Sequence, residues 1–362
     1  MISVQTRHGQ FAFCQQRLRG SDGASTTFLQ ATGQTHVSHG LQEFSLYCFT
    51  QMSADTAIGL QQRLVGTPLT CAQTLLNWTR EKAAEIDVRL QEQVQAAASL
   101  ALVAVKEEID LYDPTAEEVH VLTDGVLVKA QKPTHERAGE PKTPNPNTYH
   151  STDVLLFESR TGEYRYMAGS SDGKVSVTEV AQAYLKREWA GRETPLPVVA
   201  LSDGATQIRG QLRALFGVSV TIILDWYHLA KRVYEQLCKC AHSAQEREGW
   251  EETVLAHLWH GRTDEALAFL GTLTVRNEKA HRELLGYLQK HHSEIIDYAR
   301  RQALGKPVGS GRIEKAVDQV VAMRQKHKGM SWSKAGSRSL ALLKIAQLNH
   351  EWNQLFSLPA AA

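Results

Sequence analysis

The sequence has little cysteine, few aromatic residues and no long apolar run. Its five cysteines are scattered among 362 residues, odd in number, and form no CxxC pair. A disulfide framework and a paired-cysteine zinc site are therefore not expected. Because no stretch of about 18 apolar residues occurs, no transmembrane helix is expected. The first residues also lack the apolar segment of a secretory signal, so we expect a protein of the cytosol with no membrane partner.

Net charge is nearly absent as well. The chain carries 40 Lys and Arg against 39 Asp and Glu, a net charge of +1, which argues neither for nor against nucleic acid. The distribution is uneven, because Glu314 and Asp318 are the only acids between Arg300 and Arg338. A basic stretch in a neutral chain favours contact with a polyanion over a solvated helix face. Its basic residues are Arg300, Arg301, Lys306, Arg312, Lys315, Arg324, Lys326, Lys328, Lys334 and Arg338.

Helical periodicity dominates the first third of the chain, residues 1–112. Residues 1–40 are typical of short polar strands or loops, and helical character then runs to about residue 111. Two predicted helices, 54–65 and 71–86, are joined by a short turn that contains glycine. That layout suits a DNA-binding helix-turn-helix, although any helical hairpin shares it. Arg80 lies on the polar side of the second helix and is a candidate DNA contact.

The pattern changes to strands after residue 113. Period-two alternation predicts the first strand, and two continuous apolar runs, each reached across a helix, predict buried strands. Three closely joined strands suit an antiparallel meander, whereas strands separated by helices suit parallel neighbours. This mixed five-stranded order is the one found in the ribonuclease H fold. The predicted strands are Val119–Ala130, Thr152–Glu158, Tyr164–Gly169, Leu196–Leu201 and Val218–Leu224.

These elements predict an α/β core with helical additions. The core strands fall within 113–228, with a proline-rich loop over 132–149. An all-helical insertion is expected over 229–300, and 301–362 would form carboxy-terminal helices of the core.

Two aspartates lie at positions of the predicted sheet where a structural role alone does not readily explain an acidic side chain. Asp124 lies inside the first strand, where a buried charge is costly unless it is compensated. Asp203 ends the fourth strand, and ligand sites gather at such carboxyl ends. The first and fourth strands are neighbours in the ribonuclease H order, so the two carboxylates would face each other. Singly, each Asp-Gly pair is more often a turn or a bulge.

Two facing carboxylates repel each other, and a divalent cation relieves that repulsion. Hard oxygen ligands select Mg²⁺ or Mn²⁺, and two such ions can act on a phosphodiester. Glu314, at a helix start after Gly309-Ser310-Gly311, is the candidate third ligand, although alone it is an ordinary acid of a first helical turn. Asp225 could cap the helix after the fifth strand, and we favour a site-supporting role for it and for His228.

Four segments resemble bacterial insertion-sequence transposases of the Kra-type group, within the Mutator-like DDE superfamily. The resemblance covers roughly residues 45–356. It implies a ribonuclease H core interrupted by a helical insertion. The segments are SDGATQI (202–208), ILDWYHLAKRV (223–233), GKPVGSGRIEKAV (305–317) and RQKHKGMSWSKAG (324–336).

The resemblance also implies roles for single residues. Asp124, Asp203 and Glu314 match the catalytic, metal-binding acidic triad, and Asp225 and His228 match the Asp/Cys-x-x-His signature. Some relatives carry an amino-terminal cysteine cluster that looks zinc-binding, and this chain has only Cys14 there, so no zinc module is predicted. DNA contacts are expected from Arg312, Lys315, Arg324, Lys326, Lys328 and Trp332, the last by stacking on an unpaired base unless it packs in the core.

The sequence therefore predicts a DDE-type DNA transposase of the bacterial cytosol, associated with the nucleoid. It would cleave DNA at the terminal inverted repeats of an insertion sequence and transfer the strand into target DNA, with two Mg²⁺ or Mn²⁺ ions. A homo-oligomer is expected, because transposition needs two ends held together. The alternatives are a non-catalytic DNA-binding protein derived from a transposase, and a structure-selective nuclease on the ribonuclease H fold.

Overall fold

The computed structural model describes residues 2–14, 17–19, 21, 25–27, 36–132, 148–169 and 173–357. Most of the loop predicted over 132–149 therefore lies outside the described residues. The chain divides into two compact units, which do not follow the sequence-based boundaries. Unit 1 comprises Met1–Arg89, Val128–His150 and Gln319–Ala362, and unit 2 comprises Leu90–Leu127 and Ser151–Asp318.

Unit 1 begins with short strands and continues into helices. Strand β1 pairs antiparallel with β2 and parallel with β5, and β3 pairs antiparallel with β4. The strands are β1 Ile2–Thr6, β2 Gly9–Phe13, β3 Arg17–Arg19, β4 Ser25–Thr27 and β5 His36–Val37. The helices that follow are α1 His39–Gln51, α2 Ala54–Val65 and α3 Ala72–Ala98.

The predicted helical pair is present, and its second helix is longer than expected. Gly66 ends α2 with a positive φ of 83°, a conformation that glycine adopts without strain. Helix α3 runs to Ala98, but the helical character expected up to residue 111 is wrong. Val105 there forms a parallel bridge with Leu196 and packs on the sheet of unit 2. Tertiary pairing of a β-branched residue thus outweighs helical propensity.

The sheet of unit 2 has the order β10-β9-β6-β7-β8. Strand β6 pairs in parallel with β9, β9 pairs in parallel with β10, and β7 pairs antiparallel with β8. All five predicted strands and the adjacency of the first and fourth are confirmed. The strands are β6 Val119–Lys129, β7 Tyr149–Glu158, β8 Tyr164–Gly169, β9 Val198–Ser202 and β10 Thr221–Leu224.

Both faces of this sheet are buried because successive side chains point to opposite sides of a strand. Val198 and Ala200 belong to a core with helices α4 Val177–Glu188 and α5 Thr206–Phe216. Val199 and Ile223 belong to a second core built from the later helices. These are α6 Trp226–Cys240, α7 Ala244–Trp259, α8 Thr263–Gly271, α9 Glu278–Lys290 and α10 Tyr298–Ala303.

The last helices complete the two units. Helix α11 (Gly311–Val317) runs through a π-helical segment, Asp318–Ala322, into α12 (Met323–Gln325). Helices α13 (Lys334–Leu348) and α14 (Trp352–Phe356) end the described chain. Leu340 of α13 packs with residues of α1, α2 and α3 in the core of unit 1. Among the described residues, no helix is both long and apolar enough to cross a bilayer.

Candidate functional site

Of the two aspartates predicted to face each other, Asp124 lies within β6 and Asp203 directly follows β9, the adjacent parallel strand. Leu122 of β6 is paired with Leu201 of β9, and Asp124 and Asp203 each follow two residues later. Both aspartates therefore lie level with the carboxyl end of β9, and the charge of Asp203 acts on the carboxylate of Asp124. Asp203 accepts a hydrogen bond from the Ala205 amide at 2.7 Å, which fixes it at the start of α5.

The pKa of the Asp124 carboxylate is raised by burial and by the charges of the other two acids. Burial raises its pKa above the ordinary aspartate value, against a hydrogen bond from the Gly125 amide. The carboxylates of Asp203 and Glu314 raise that pKa further, whereas His228 lowers it. These effects require the three acids and the histidine to share one neighbourhood of unit 2.

Asp225 is buried at the start of α6 and connects two elements of the site. It accepts hydrogen bonds from the His228 amide at 2.8 Å and, through its other oxygen, from the Ser310 amide. Burial alone would raise its pKa, but these hydrogen bonds outweigh burial and lower it. An ionised Asp225 therefore anchors the segment that precedes α11, the helix that carries Glu314.

His228 continues this chain of contacts. Its Nδ1 lies 3.1 Å from Asp225 Oδ1, and its Nε2 lies 3.9 Å from Glu314 Oε1. The hydrogen bond to Asp225 raises the pKa of His228, and the charges of Asp203 and Glu314 add to that effect. The Glu314 side chain is half exposed. The contacts of Asp225 and His228 therefore connect the start of α6 with the segment before α11 and with Glu314.

Gly204 makes the turn between Asp203 and α5 possible. Its φ is +84°, and a Cβ added there would lie 2.9 Å from Leu224 Cδ1 and 3.0 Å from His291 Cε1. Both the backbone conformation and the space therefore require glycine.

We expect Gly204→Ala to destabilise the protein by at least about 1–2 kcal/mol, from the left-handed backbone alone, and to weaken any activity of the Asp203 carboxylate. Gly210 of α5 is the matched control, because a Cβ there meets nothing within 4 Å. Gly210→Ala should be neutral or stabilise by about 0.5–1 kcal/mol. Urea unfolding measures both. Equal stability of the two variants would contradict this view of the turn.

The sequence reading missed a buried group behind this turn. His291 Nδ1 lies 2.6 Å from Glu294 Oε2, and Arg209 Nη2 forms an ion pair with the other oxygen of Glu294 at 2.7 Å. Nearby, Tyr287 has a pKa raised to about 12 by burial, with a further contribution from the charge of Asp203. The helical insertion thus brings Tyr287 and His291 close to the strand ends. Only the tertiary fold unites these residues with α5, so no local signal could have found them.

The ten basic residues between Arg300 and Arg338 divide into two kinds. Some are bound within the protein: Arg301 and Lys306 pair with Glu118, and Arg338 pairs with Asp87. Others stay exposed, among them Arg312 and Lys315, which flank Glu314 on α11. The Arg312 guanidinium lies 4.8 Å from the centre of the Tyr164 ring. The charge available for a polyanion is therefore smaller than the sequence suggested.

The remaining DNA-binding candidates lie in unit 1. Arg80, Arg324 and Trp332, which are far apart in sequence, line one pocket. Lys326 is exposed, and the side chain of Lys328 lies outside the described residues.

The chemistry of the acidic cluster suits a hard divalent cation. Asp124, Asp203 and Glu314 offer carboxylate oxygens, the donors that Mg²⁺ and Mn²⁺ prefer. A cation would also relieve the repulsion that raises the pKa of Asp124. Within the described residues, no three side chains of His, Cys, Asp or Glu are already gathered around one point. The donor set fits such a cation, and ligation requires Glu314 to close on the aspartates.

Comparisons with known proteins give one similar solved structure to report. No family model and no curated protein matches the chain. The Drosophila P element transposase strand transfer complex is similar with a TM-score of 0.28 and 10% sequence identity, over 90% of this chain and 81% of that chain. A likeness at that level carries no functional conclusion, so the function must be argued from the side chains of the site.

Proposed function

We propose that the chain is a metal-dependent DDE-type DNA transposase, with Asp124, Asp203 and Glu314 as its catalytic acids. The observation that carries the proposal is that the charges of Asp203 and Glu314 both act on the carboxylate of Asp124, while Glu314 lies 3.9 Å from His228 Nε2. Asp124 lies within β6, and Asp203 directly follows β9, the adjacent parallel strand. Unrelated surface acids would have no reason to meet at the carboxyl end of a sheet, where ligands usually bind.

The topology of the sheet supports the same proposal. The sheet order is β10-β9-β6-β7-β8, so the first strand of the sheet, β6, lies in the centre. Strands β7 and β8 lie on one side of β6, and β9 and β10, which run parallel to it, lie on the other. This is the order of the ribonuclease H fold. The four sequence segments that resemble Kra-type transposases of the Mutator-like superfamily include Asp203, Asp225, His228 and Glu314.

Each polar residue would have a defined task in strand cleavage. Two Mg²⁺ or Mn²⁺ ions held by the three acids would stabilise the attacking and leaving oxygens. Asp225 holds His228 and, through Ser310, the segment before Glu314, so it is a positioning residue. His228 faces Glu314 with Nε2, and its raised pKa keeps a positive charge close to the acids as the pH rises towards neutrality.

The proposed reaction has two steps at one centre. Water attacks a phosphodiester at the element end, the P–O3′ bond breaks, and the released 3′ oxygen takes up a proton. That 3′-OH then attacks a phosphorus of target DNA, with loss of another 3′ oxygen. The protein aligns the strands and neutralises charge, and no covalent enzyme intermediate forms.

DNA binding and assembly complete the proposal. Exposed Arg312 and Lys315 flank Glu314 on α11, where they would hold phosphates on either side of the cleaved bond. The partners are the terminal inverted repeats and target DNA in the bacterial cytosol. Because two ends must be joined, we propose a homo-oligomer.

The test is a nicking assay on a duplex that carries the terminal repeat. We expect a nick that exposes a 3′-OH with Mg²⁺ or Mn²⁺ and none with EDTA, because bare carboxylates cannot stabilise the phosphodiester oxygens. The products are followed on a denaturing gel.

Other outcomes of this assay would replace the proposal. Binding of the repeat without nicks at any divalent ion concentration would favour a non-catalytic DNA-binding protein. Cleavage that ignores the terminal sequence and joins no product to target DNA would favour a structure-selective nuclease. A scrambled duplex of equal length serves as the matched control.

A further inference from the structure

Unit 1 contains a pocket of about 520 Å³. Its walls come from α1, α2 and α3, and from residues 330–333 together with Arg324. Pockets of about 300–1,000 Å³ are typical of sites that hold a small molecule or one group of a larger ligand. None of the described residues that line this pocket is acidic, whereas two arginines line it.

Arg324 is the first of two buried donors in this pocket. The residue is 6% exposed, and it donates to the Phe49 carbonyl at 2.9 Å and to the Met330 sulfur at 3.7 Å. The guanidinium lies 4.8 Å and 5.1 Å from the ring centres of Phe49 and Trp332. Burial lowers its pKa to about 10. A buried cation without a carboxylate partner is costly, and a ligand that brings acceptors would offset that cost.

Trp332 supplies the second donor. Its indole Nε1 is buried, and no hydrogen-bond partner for it is found among the described residues. Buried N–H groups are nearly always paired, with protein, water or ligand. The backbone of Trp332 is held firmly, because its amide donates to the Lys129 carbonyl at 2.9 Å and its carbonyl accepts from Gln131 at 3.0 Å. The ring is therefore a fixed wall of the pocket.

The remaining wall combines apolar surface and an exposed cation. Leu76 and Met330 line the interior, and Arg80 stands on α3 with its side chain exposed. The occupant must therefore have a flat or apolar body, hydrogen-bond acceptors and a negative charge. A lone phosphate would leave the apolar wall unused, and a purely aromatic ligand would leave the indole N–H unpaired and the charge of Arg324 uncompensated. A nucleotide meets all three requirements.

We propose that this pocket binds one unpaired nucleotide of a DNA strand. Its base lies against the Trp332 ring with acceptor atoms towards Arg324 and the indole N–H, and its phosphate contacts Arg80. The proposal rests on the proposed function, because it assumes a DNA substrate. A nucleotide in a strand is favoured over a free one because the pocket opens beside an exposed polar face of α3, where Gln73 and Arg80 line the pocket and Asn77 lies between them. Stacking on an aromatic side chain is tolerant of sequence.

The experiment measures binding in EDTA, so it does not depend on cleavage. Two fluorescent duplexes are compared, one blunt and one with a three-nucleotide single-stranded end. We expect about tenfold tighter binding of the overhanging duplex, the lower range for stacking of one base on an aromatic side chain. Overhangs with an abasic site at each position in turn identify the bound nucleotide. The free mononucleotide should compete only weakly.

The variants are chosen so that the protein still folds. Trp332→Phe keeps an aromatic ring and loses an N–H that has no partner within the described residues, and Arg80→Gln changes an exposed side chain. Each should reduce the preference for the overhang, which is the ratio of the two binding constants, by at least about threefold. Arg63→Gln on α2 is the matched control, an exposed arginine outside the pocket.

Equal binding of blunt and overhanging DNA, or an unchanged preference in both variants, would overturn the nucleotide pocket. So would tight binding of the free mononucleotide with no effect of the overhang, which would indicate a small-molecule site instead. The nicking assay is unaffected by these outcomes. A protein that nicks DNA but shows no overhang preference refutes the pocket alone, and one with the preference but no nicking refutes the catalytic proposal alone.

Discussion

Asp203→Asn should abolish nicking and leave DNA binding nearly intact. The substitution keeps the shape of the side chain, and the remaining carbonyl oxygen can still accept from the Ala205 amide. The charge is lost from the pair that Asp203 forms with Asp124. If the cations contribute several kcal/mol to the transition state, weakening their site lowers the rate by on the order of 10³-fold or more. Single-turnover nicking in Mg²⁺, with duplex binding measured in parallel, gives both quantities.

Asp153→Asn is the matched control for this result. Asp153 is another carboxylate of the same sheet, and burial raises its pKa as it does that of Asp124. It accepts a hydrogen bond from Gln211 at 2.6 Å, and its pKa carries no contribution from the three candidate acids. Nicking should survive in this variant. If Asp203→Asn cleaves at ordinary Mg²⁺ like the control, the catalytic assignment fails.

The strands and their order could be predicted from the sequence because strands of a buried sheet appear as alternating or continuous apolar segments. Apolar runs at 198–202 and 221–224 can hardly be anything other than buried strands, and a parallel pair brings its carboxyl ends together. The position of Asp203 after such a strand thus predicted its contact with the Asp124 strand. Glu314 was a candidate only from its place at a helix start within a basic stretch, because no strand register connects its helix to the aspartates; the resemblance to a family added the match to an acidic triad.

The features that could not be predicted from the sequence depend on contacts between segments that are far apart along the chain. The pattern around Val105 predicts a helix, but in the structure Val105 forms a parallel β-bridge with Leu196. The sequence places Arg301 in a basic stretch expected to contact a polyanion, but in the structure Arg301 is buried in an ion pair with Glu118. The pocket around Arg324 and Trp332 likewise forms only when α1, α2 and α3 meet the carboxy-terminal segment. In each case the deciding contact is made by a residue more than fifty positions away in the sequence, which a local pattern does not contain.

The buried pair of Arg301 and Glu118 should be the most sensitive point of unit 2. Arg301 is fully buried, donates to both carboxylate oxygens of Glu118, and also donates to the carbonyls of Pro307 and Leu111. Removal of one partner leaves a buried charge, which costs about 3–5 kcal/mol. We therefore expect Arg301→Met to lower the free energy of unfolding by about that amount, as measured in urea.

The pH dependence of this stability has a defined sign. Burial opposes ionisation of Glu118, but hydrogen bonds from His120, Arg301 and Lys306 outweigh it and lower its pKa to about 2 from 4.5. Because the folded-state pKa is lowered, the contribution of Glu118 is complete above about pH 4.5 and is lost as the pH falls towards 2. His120 has the opposite sign: its pKa is raised, so its contribution is lost as the pH rises above its ordinary range.

A double-mutant cycle separates the pair from its surroundings. The variant Glu118→Gln with Arg301→Met buries no uncompensated charge at these two positions, so it should be less destabilised than the sum of the single variants. Additive effects would show that the two residues do not interact. The pair of Arg247 and Glu251 on α7, whose side chains are only partly buried, is the control, and Arg247→Met should change stability less than Arg301→Met.

The same pair should also act on the candidate site when the protein remains folded. Arg301 Nε holds the Pro307 carbonyl at 2.9 Å, three residues before Ser310, whose amide donates to Asp225. Release of Pro307 frees the segment that orients α11, so Glu314 would meet the aspartates less often. At a temperature where Arg301→Met is fully folded, we expect slower nicking that higher Mg²⁺ partly restores. Nicking equal to that of the unmodified protein would show that this segment is held by other contacts.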